Sequence, residues 1–384
     1  MSKTDFSASE FKERHARVRK AMGKHGIELL LVISPVNIHY LIGARAKSFQ
    51  KFQCLFFTLE DRPLTFLTRL SEVAECHDMS LADDVRGWNG REAEDPIEAF
   101  KRITFEKDFN KLRIGLEVPY YYLSVYDYLK IKCVLGDSLL TEANSLIEDI
   151  KLVKSAKEIE YIRKAAEIND EGMQTCMEVI REGITGSEVA AEVYRTLLRL
   201  GSGFPVSAMN FGSGEDSCYA HPHPSDRQIK SGDFIHIEFG ANYRQYTSTI
   251  GRQICLGQPT DRMIELYAIV RNACDVCISE IKAGVSAARP HEAAKRVIAD
   301  AGMDEFRWHL TGYGIAPGFP PSWGESLLLF DCSHHILEAG MVVSVEPPIF
   351  IHEERLGIRL VDNVIVKEKN CEVLSNFSRD LLIA

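Results

Sequence analysis

SGDFIHIEFGANYRQY, residues 231–246, is the stretch on which the fold turns. Phe234, Ile235, Ile237 and Phe239 form a short apolar run of strand length, punctuated by Gly232 and Gly240. A second run of this kind, YTSTIGRQICLG (246–257), follows it, and VSAMNFG (206–212) precedes it. Further along, residues 259–283 and 289–301 carry helical spacing. They lead into two more strand-like runs, MVVSVEPPIF (341–350) and LGIRLVDNVIV (356–366). Towards the N-terminus, Ser155 with Glu158 three residues on makes a capping box. The helix behind it carries Ile159, Ile162, Ala166, Met173, Met177 and Ile180 at helical spacing, and a second helix covers about 187–200. Grouped helices and paired strands make residues 154–384 an α+β domain.

Residues 1–153 have a different rhythm. A helix over 7–25 ends at Gly26, IELLLVIS (27–34) reads as a buried strand, and a short helix after Pro35 ends near Gly43. QCLFFTL, PLTFLT, RIGLE and the segment around Val134 continue an α/β alternation, which predicts a smaller domain with a parallel or mixed sheet. A chain of 384 residues, 45% of them hydrophobic, suits two such cores. The net charge of -10 disfavours nucleic acid or an anionic membrane as a bulk partner. No apolar run approaches the roughly 18–20 residues that span a bilayer, and the polar segment Met1 to Glu13 is no secretory signal. The ten cysteines follow no framework spacing, and Cys274 and Cys277 form a lone CxxC within a helical pattern. Reduced thiols in a cytoplasmic protein are the simplest reading.

Ionisable residues inside apolar strands point to the chemistry. Glu238 sits in FIHIEFG and Glu346 in VVSVEPP, and burying a carboxylate is costly unless it is paired or ligates something. YAHPHPSDR (219–227) sets His221 and His223 on a proline-restricted loop, which suits acid–base work or metal binding; two surface histidines are the bland alternative. GYGIAPGFPPSWGES (312–326) reads as a long glycine- and proline-rich loop carrying Tyr313, Trp323 and Glu325. Such a loop brings backbone and aromatic groups close to a small ligand.

Taken together and in order, these segments resemble the pita-bread superfamily of creatinase, aminopeptidase P and prolidase. The resemblance runs through KLVKSAKEIEYIRKAAEIND (151–170), YAHPHP, SGDFIHIEFGANYRQY, LGQPTDRM, the GYG…PPSWGE segment, AGMVVSVEPPIF and GIRLVDNVIV. It implies a creatinase-like N-terminal domain over 1–153 and a pita-bread catalytic domain over 154–384. It also implies a homodimer in which the neighbouring N-terminal domain closes each pocket. KSFQKFQ (47–53) matches the region that reaches into the partner's pocket, making Phe49 and Lys51 the residues contributed in trans.

The metalloenzymes of this superfamily hold two metals with two Asp, one His and two Glu. Here those positions fall on Glu238, Thr249, Tyr313, Glu346 and Val361, so few donors remain. The resemblance therefore leans to the metal-free branch, with no metal and no cofactor. By likeness to creatinase, His221 falls on the catalytic histidine and Glu346 on one of two guanidinium-binding glutamates. The other glutamate falls on Gly251, and an arginine expected to hold the substrate carboxylate falls near Glu325. The whole is more similar to ectoine hydrolases, which open a cyclic amidine.

The expected activity is hydrolysis of a non-peptide C–N bond in a small amidine or guanidino zwitterion. In that scheme His221 shuttles the proton, Glu238 and Glu346, on neighbouring strands facing one pocket, grip the substrate cation, and attack comes from water or from Glu238 itself as a covalent nucleophile. Tyr313 donates to the tetrahedral intermediate. His223, Trp323, Glu325 and Arg359 contact the substrate, Trp323 by stacking on its cation, and Arg252 reads as a structural ion pair. The rival expectations are a metal-dependent Xaa-Pro dipeptidase and a non-catalytic binding protein.

Overall fold

The computed structural model describes residues 2–90 and 92–384. The chain divides into two compact units, Met1–Lys151 and Leu152–Ala384.

The first unit is a six-stranded mixed sheet with helices on its faces. Its elements run α1 (Ala8–Lys24), β1 (Leu29–Val32), α2 (Pro35–Ile42), β2 (Cys54–Thr58), β3 (Thr65–Arg69), α3 (Val73–Met79), β4 (Asp84–Trp88), α4 (Pro96–Glu106), β5 (Ile114–Leu116), α5 (Val125–Leu135), β6 (Leu139–Glu142) and α6 (Ser145–Lys151). Strand order is β4-β3-β2-β1-β5-β6. Leu29 to Val32 are all buried, as a strand covered on both faces requires. Gly43 ends α2 in the left-handed conformation that an L side chain resists. Val134 belongs to α5, not to a strand.

The second unit begins with α7 (Ala156–Val179), opened by the Ser155–Glu158 capping box, and α8 (Gly186–Arg199). Strands β7 (Asn210–Ser213), β8 (Phe234–Tyr243) and β9 (Tyr246–Cys255) follow, then α9 (Asp261–Glu280) and α10 (Ala288–Asp300). The remainder is β10 (Gly312–Phe319), β11 (Ser322–Leu329), β12 (Val342–Val345), β13 (Ile349–Ile351), β14 (Leu356–Ile358), β15 (Asp362–Val366), β16 (Cys371–Val373) and β17 (Leu382–Ile383). The main sheet runs β16-β15-β12-β10-β9-β8-β7. One core packs α7 and α8 on β8 and β9 around Ile168, Met173, Val193, Ile237 and Phe239. The other packs α9 and α10 on β12 and β15 around Val270, Cys277, Ile298, Val343 and Val364. Cys274 and Cys277 are fully buried, and burial drives both thiols up, so the CxxC is core packing.

Two sequence expectations change here. GYGIAPGFPPSWGES is no open loop: its residues form the hairpin β10–β11, turning at Pro320-Pro321. The glycines serve close backbone packing, since a Cβ on Gly312 would lie 1.9 Å from the Ser344 carbonyl oxygen of paired β12. Nor are the strands of Glu238 and Glu346 neighbours, because β9 and β10 lie between β8 and β12. The two carboxylates meet through the Arg359 guanidinium rather than by direct strand pairing.

Candidate active site

A cavity of about 300 Å³ opens in the second unit. His221, His223, Glu238, Tyr313, Trp323 and Arg359 line it, so it gathers six of the residues singled out from sequence. Asn210 and His309 also line it.

Strand register places the first carboxylate. Asn210 of β7 lies opposite Glu238 of β8, and the Asn210 Nδ2 donates to Glu238 Oε2 at 2.9 Å. Glu346 follows β12, where its N–H donates to the Thr311 carbonyl at 2.8 Å. It is fully buried and, against expectation, is not among the residues that line the cavity. Arg359 leaves β14 and joins these parts. Its Nη1 lies 3.2 Å from Glu238 Oε2, and its Nη2 donates to Glu346 Oε2 at 3.0 Å. Nη1 also donates to the Ala220 carbonyl at 3.0 Å, fixing the peptide just before His221. Pro222 anchors the other side of His221, its carbonyl accepting from the Phe211 N–H at 2.9 Å.

Burial pushes the Glu346 carboxyl up to about 7, against the pull of Arg359. Burial opposes the Arg359 charge too, but Glu238 and Glu346 more than offset it and the guanidinium stays cationic. Enclosure and the Arg359 charge lower the His221 pKa below the usual histidine range, Glu238 acting the other way. The imidazole is therefore neutral, and competent as a base, at pH 7. His309 lies 5.3 Å from His221 between ring centroids, in an edge-to-face arrangement. Its Nδ1 bonds the Leu310 carbonyl at 3.1 Å; a carbonyl only accepts, so Nδ1 carries the proton. Enclosure takes its pKa down to about 4. Burial holds the Tyr313 phenol well above its ordinary pKa, and its oxygen accepts the Trp323 indole N–H at 3.0 Å.

Glu325 does not join this lining. It pairs with Lys154 at 2.6 Å, both side chains inside the protein. Its place on β11 sends the carboxylate to this internal partner, which corrects the substrate-binding expectation. Phe49 and Lys51 belong to the first unit, where Phe49 packs edge-to-face on Tyr122 at 6.4 Å and Lys51 is exposed. Arg252 forms a buried ion pair with Asp362 at 3.0 Å and donates to the Val361 carbonyl, a structural role. Asn210 and His309 were overlooked. Asn210 is a polar residue inside the strand-like VSAMNFG, the same signal that marked Glu238. His309, four residues before Tyr313, lies outside any strand pattern.

The antiparallel-rich main sheet, its flanking helix pairs and the preceding α/β unit define a hydrolase of the pita-bread, creatinase and aminopeptidase P superfamily. Residues 160–368 match the metallopeptidase family M24 and residues 14–153 the creatinase/prolidase N-terminal domain, and the chain belongs to family M24. A Xaa-Pro dipeptidase of Pyrococcus horikoshii is 28% identical over 96% of this chain and 99% of its own. The ectoine hydrolase of Halomonas elongata is 25% identical over 98% of each. The solved Xaa-Pro dipeptidase of Bacillus anthracis superposes with a TM-score of 0.85 at 26% identity, over 97% of this chain and all of that one.

The family name implies metal, and the residues here do not suit a pair of divalent ions. The space between Glu238 and Glu346 is bridged by the Arg359 guanidinium. Thr249 is engaged with Asn363, its N–H donating to Asn363 Oδ1 at 2.6 Å and its Oγ1 accepting from Nδ2 at 2.9 Å. Val361 has no side-chain donor atom, and the Tyr313 phenol holds its proton. Among the described residues, no three His, Cys, Asp or Glu converge as a ligand set. No described helix is long and apolar enough to cross a membrane.

Proposed function

We propose that this family M24 hydrolase cleaves a non-peptide C–N bond in a small amidine or guanidino compound, ectoine-like in its reacting group, without a metal. The observation that carries this reading is Arg359 bridging Glu238 and Glu346, a fixed organic cation between two carboxylates. His221 takes a proton from water as the oxygen attacks the central amidinium carbon. The carbon–nitrogen bond then breaks, and the proton on His221 passes to the departing nitrogen. Amidine and water thus become amide and amine. Glu238, facing the cavity, holds the substrate N–H groups. A homodimer and a cytoplasmic setting belong to the same proposal, the latter supported by the free cysteines of the described chain.

The test is a hydrolysis assay on ectoine, other cyclic amidines and guanidino acids after exhaustive chelation, beside Xaa-Pro dipeptides with added Mn or Co. Amidine turnover that survives chelation is the expected result. His221→Ala should lower kcat on the order of 100-fold or more with an unchanged unfolding midpoint. The second reading, a metal-dependent Xaa-Pro dipeptidase, is supported by the names of the relatives. Dipeptide cleavage that requires Mn or Co, with no amidine turnover, would establish it instead.

A further inference from the structure

His221 stands on an arch of chain rather than on a strand. A 3-10 turn, Gly214–Cys218, follows β7, and residues 219–222 then run back to it, where the Pro222 carbonyl accepts from the Phe211 N–H at 2.9 Å. The two sides of the arch meet beside Gly212 of β7. A Cβ built there would lie 2.7 Å from the Asp216 carbonyl oxygen, 2.8 Å from Pro222 Cγ and 3.1 Å from Cε1 of His236. A second imidazole therefore packs against both sides of the arch that carries the first.

His236 is the residue of β8 opposite Gly212, and it is 1% exposed. It is two residues from Glu238, hence on the same face of the strand. Its Nδ1 lies 3.1 Å from the Ser217 carbonyl oxygen; a carbonyl only accepts, so Nδ1 carries the proton and donates. Burial takes its pKa down to about 4, so the ring is a neutral donor at pH 7. The Phe350 ring packs edge-to-face on it at 6.0 Å. His236 is not among the residues lining the cavity, and the chemistry proposed above leaves it without a role. A polar side chain in this apolar strand costs free energy that an apolar one would not. What it adds is its bond to the arch. Ser217 is tied from its side chain as well, Oγ donating to the Arg355 carbonyl at 3.0 Å. The backbone of the arch, bonded at Ser217, Ala220 and Pro222, sets where the His221 imidazole stands.

We infer that His236 is a positioning residue for the His221 base: its Nδ1–H pins the arch at Ser217, as Arg359 pins it at Ala220, and so keeps the His221 imidazole in the cavity. The inference rests on the reading of His221 as the base and deepens it. The charged and titratable groups around His221 are Arg359, Glu238, His223 and His309. Enclosure and Arg359 together hold its pKa down. An arch released at Ser217 lets the imidazole move towards water, and its pKa then rises towards about 6.5.

His236→Phe keeps an aromatic ring at this position and removes the donor. In the full-length variant the His221 pKa should rise towards about 6.5. It is read from deuterium exchange at the imidazole C2 proton, with tandem mass spectrometry separating His221 from His223. Turnover of a cyclic amidine should lose about tenfold or more in kcat, with KM within about threefold of the wild type. His236→Asn places an amide N–H near the position of Nδ1 and should recover both properties. His236→Leu, the size of Asn without the N–H, should not, and this pair makes the same comparison where the Phe variant does not fold. A Phe or Leu variant with the wild-type His221 pKa and kcat overturns the inference, whatever its unfolding midpoint. So does an Asn variant no better than Leu. The pKa measurement needs no substrate. If the wild type turns over no amidine, the proposed function falls and the His221 pKa alone still decides the role of His236.

Discussion

Arg359 is the residue on which the site depends most. It is 2% exposed and touches two carboxylates and the carbonyl before His221. Removing one member of a buried ion group leaves the others charged and unpaired, at a cost of about 3–5 kcal/mol. Arg359→Leu should therefore lower the unfolding midpoint and abolish turnover together. Arg359→Lys keeps the charge but not the planar fork, so it should recover part of the stability and little of the activity. Thermal denaturation and steady-state assays on both variants check this. The sequence left Arg359 two roles, balancing the carboxylates or clamping a substrate carboxylate, because a residue's neighbours across the sheet are invisible in the chain. The structure engages its terminal nitrogens within the protein, as the cation between Glu238 and Glu346.

Two close backbone approaches show what individual elements contribute. Strand β10 pairs with β12 through Gly312 opposite Val345, bringing the Ser344 carbonyl within 1.9 Å of any Cβ at 312. Strand β14 packs under the turn before His221, where a Cβ on Gly357 would meet the Ser217 carbonyl at 1.9 Å. Both obstacles are backbone and cannot rotate away. Gly312→Ala should destabilise by about 1–3 kcal/mol or more, read as a shift in denaturant midpoint at constant slope. Gly357→Ala displaces the 217–223 segment, so it should also reduce kcat by moving His221. The helices were legible because capping and 3.6-residue spacing are local: Ser155, Glu158 and Pro35 stand at the expected starts. The hairpin β10–β11 was not, since glycine and proline signal a loop unless a neighbouring strand supplies hydrogen bonds.

At the scale of the molecule, each unit buries a histidine whose charged form is disfavoured and a carboxyl that holds its proton unusually well. Burial takes His39 down to about 3 and His236 to about 4, and pushes Glu117 and Glu346 up to about 7. For the histidines the unfolded chain binds more protons below its pKa of about 6.5, so acidification through that window destabilises the fold. For the carboxyls the folded chain keeps a proton that the unfolded chain has lost between about 4.5 and 7. Their contribution therefore declines as pH rises through that window. Glu117→Gln and Glu346→Gln each remove this decline. The stability of either variant relative to the wild type should rise by about 2 kcal/mol from pH 5 to pH 7. Urea unfolding at the two pH values measures it, and a difference independent of pH would show that the carboxyl titrates normally. The proposed homodimer has its own check: light scattering should give about twice the 43.3 kDa of one chain.

The two-domain α/β then α+β plan, the helix positions and Glu238, Glu346, His221 and His223 followed from local pattern, because periodicity, caps and polar residues in apolar or proline-restricted runs are written along the chain. Tertiary structure alone decided which of those residues meet. It brought Glu238 and Glu346, two strands apart, to one guanidinium, sent Glu325 to Lys154, and placed Asn210 and His309 in the cavity. Such meetings depend on strand order and register between separate elements, in the case of Lys154 and Glu325 171 positions apart, which no stretch of sequence encodes by itself.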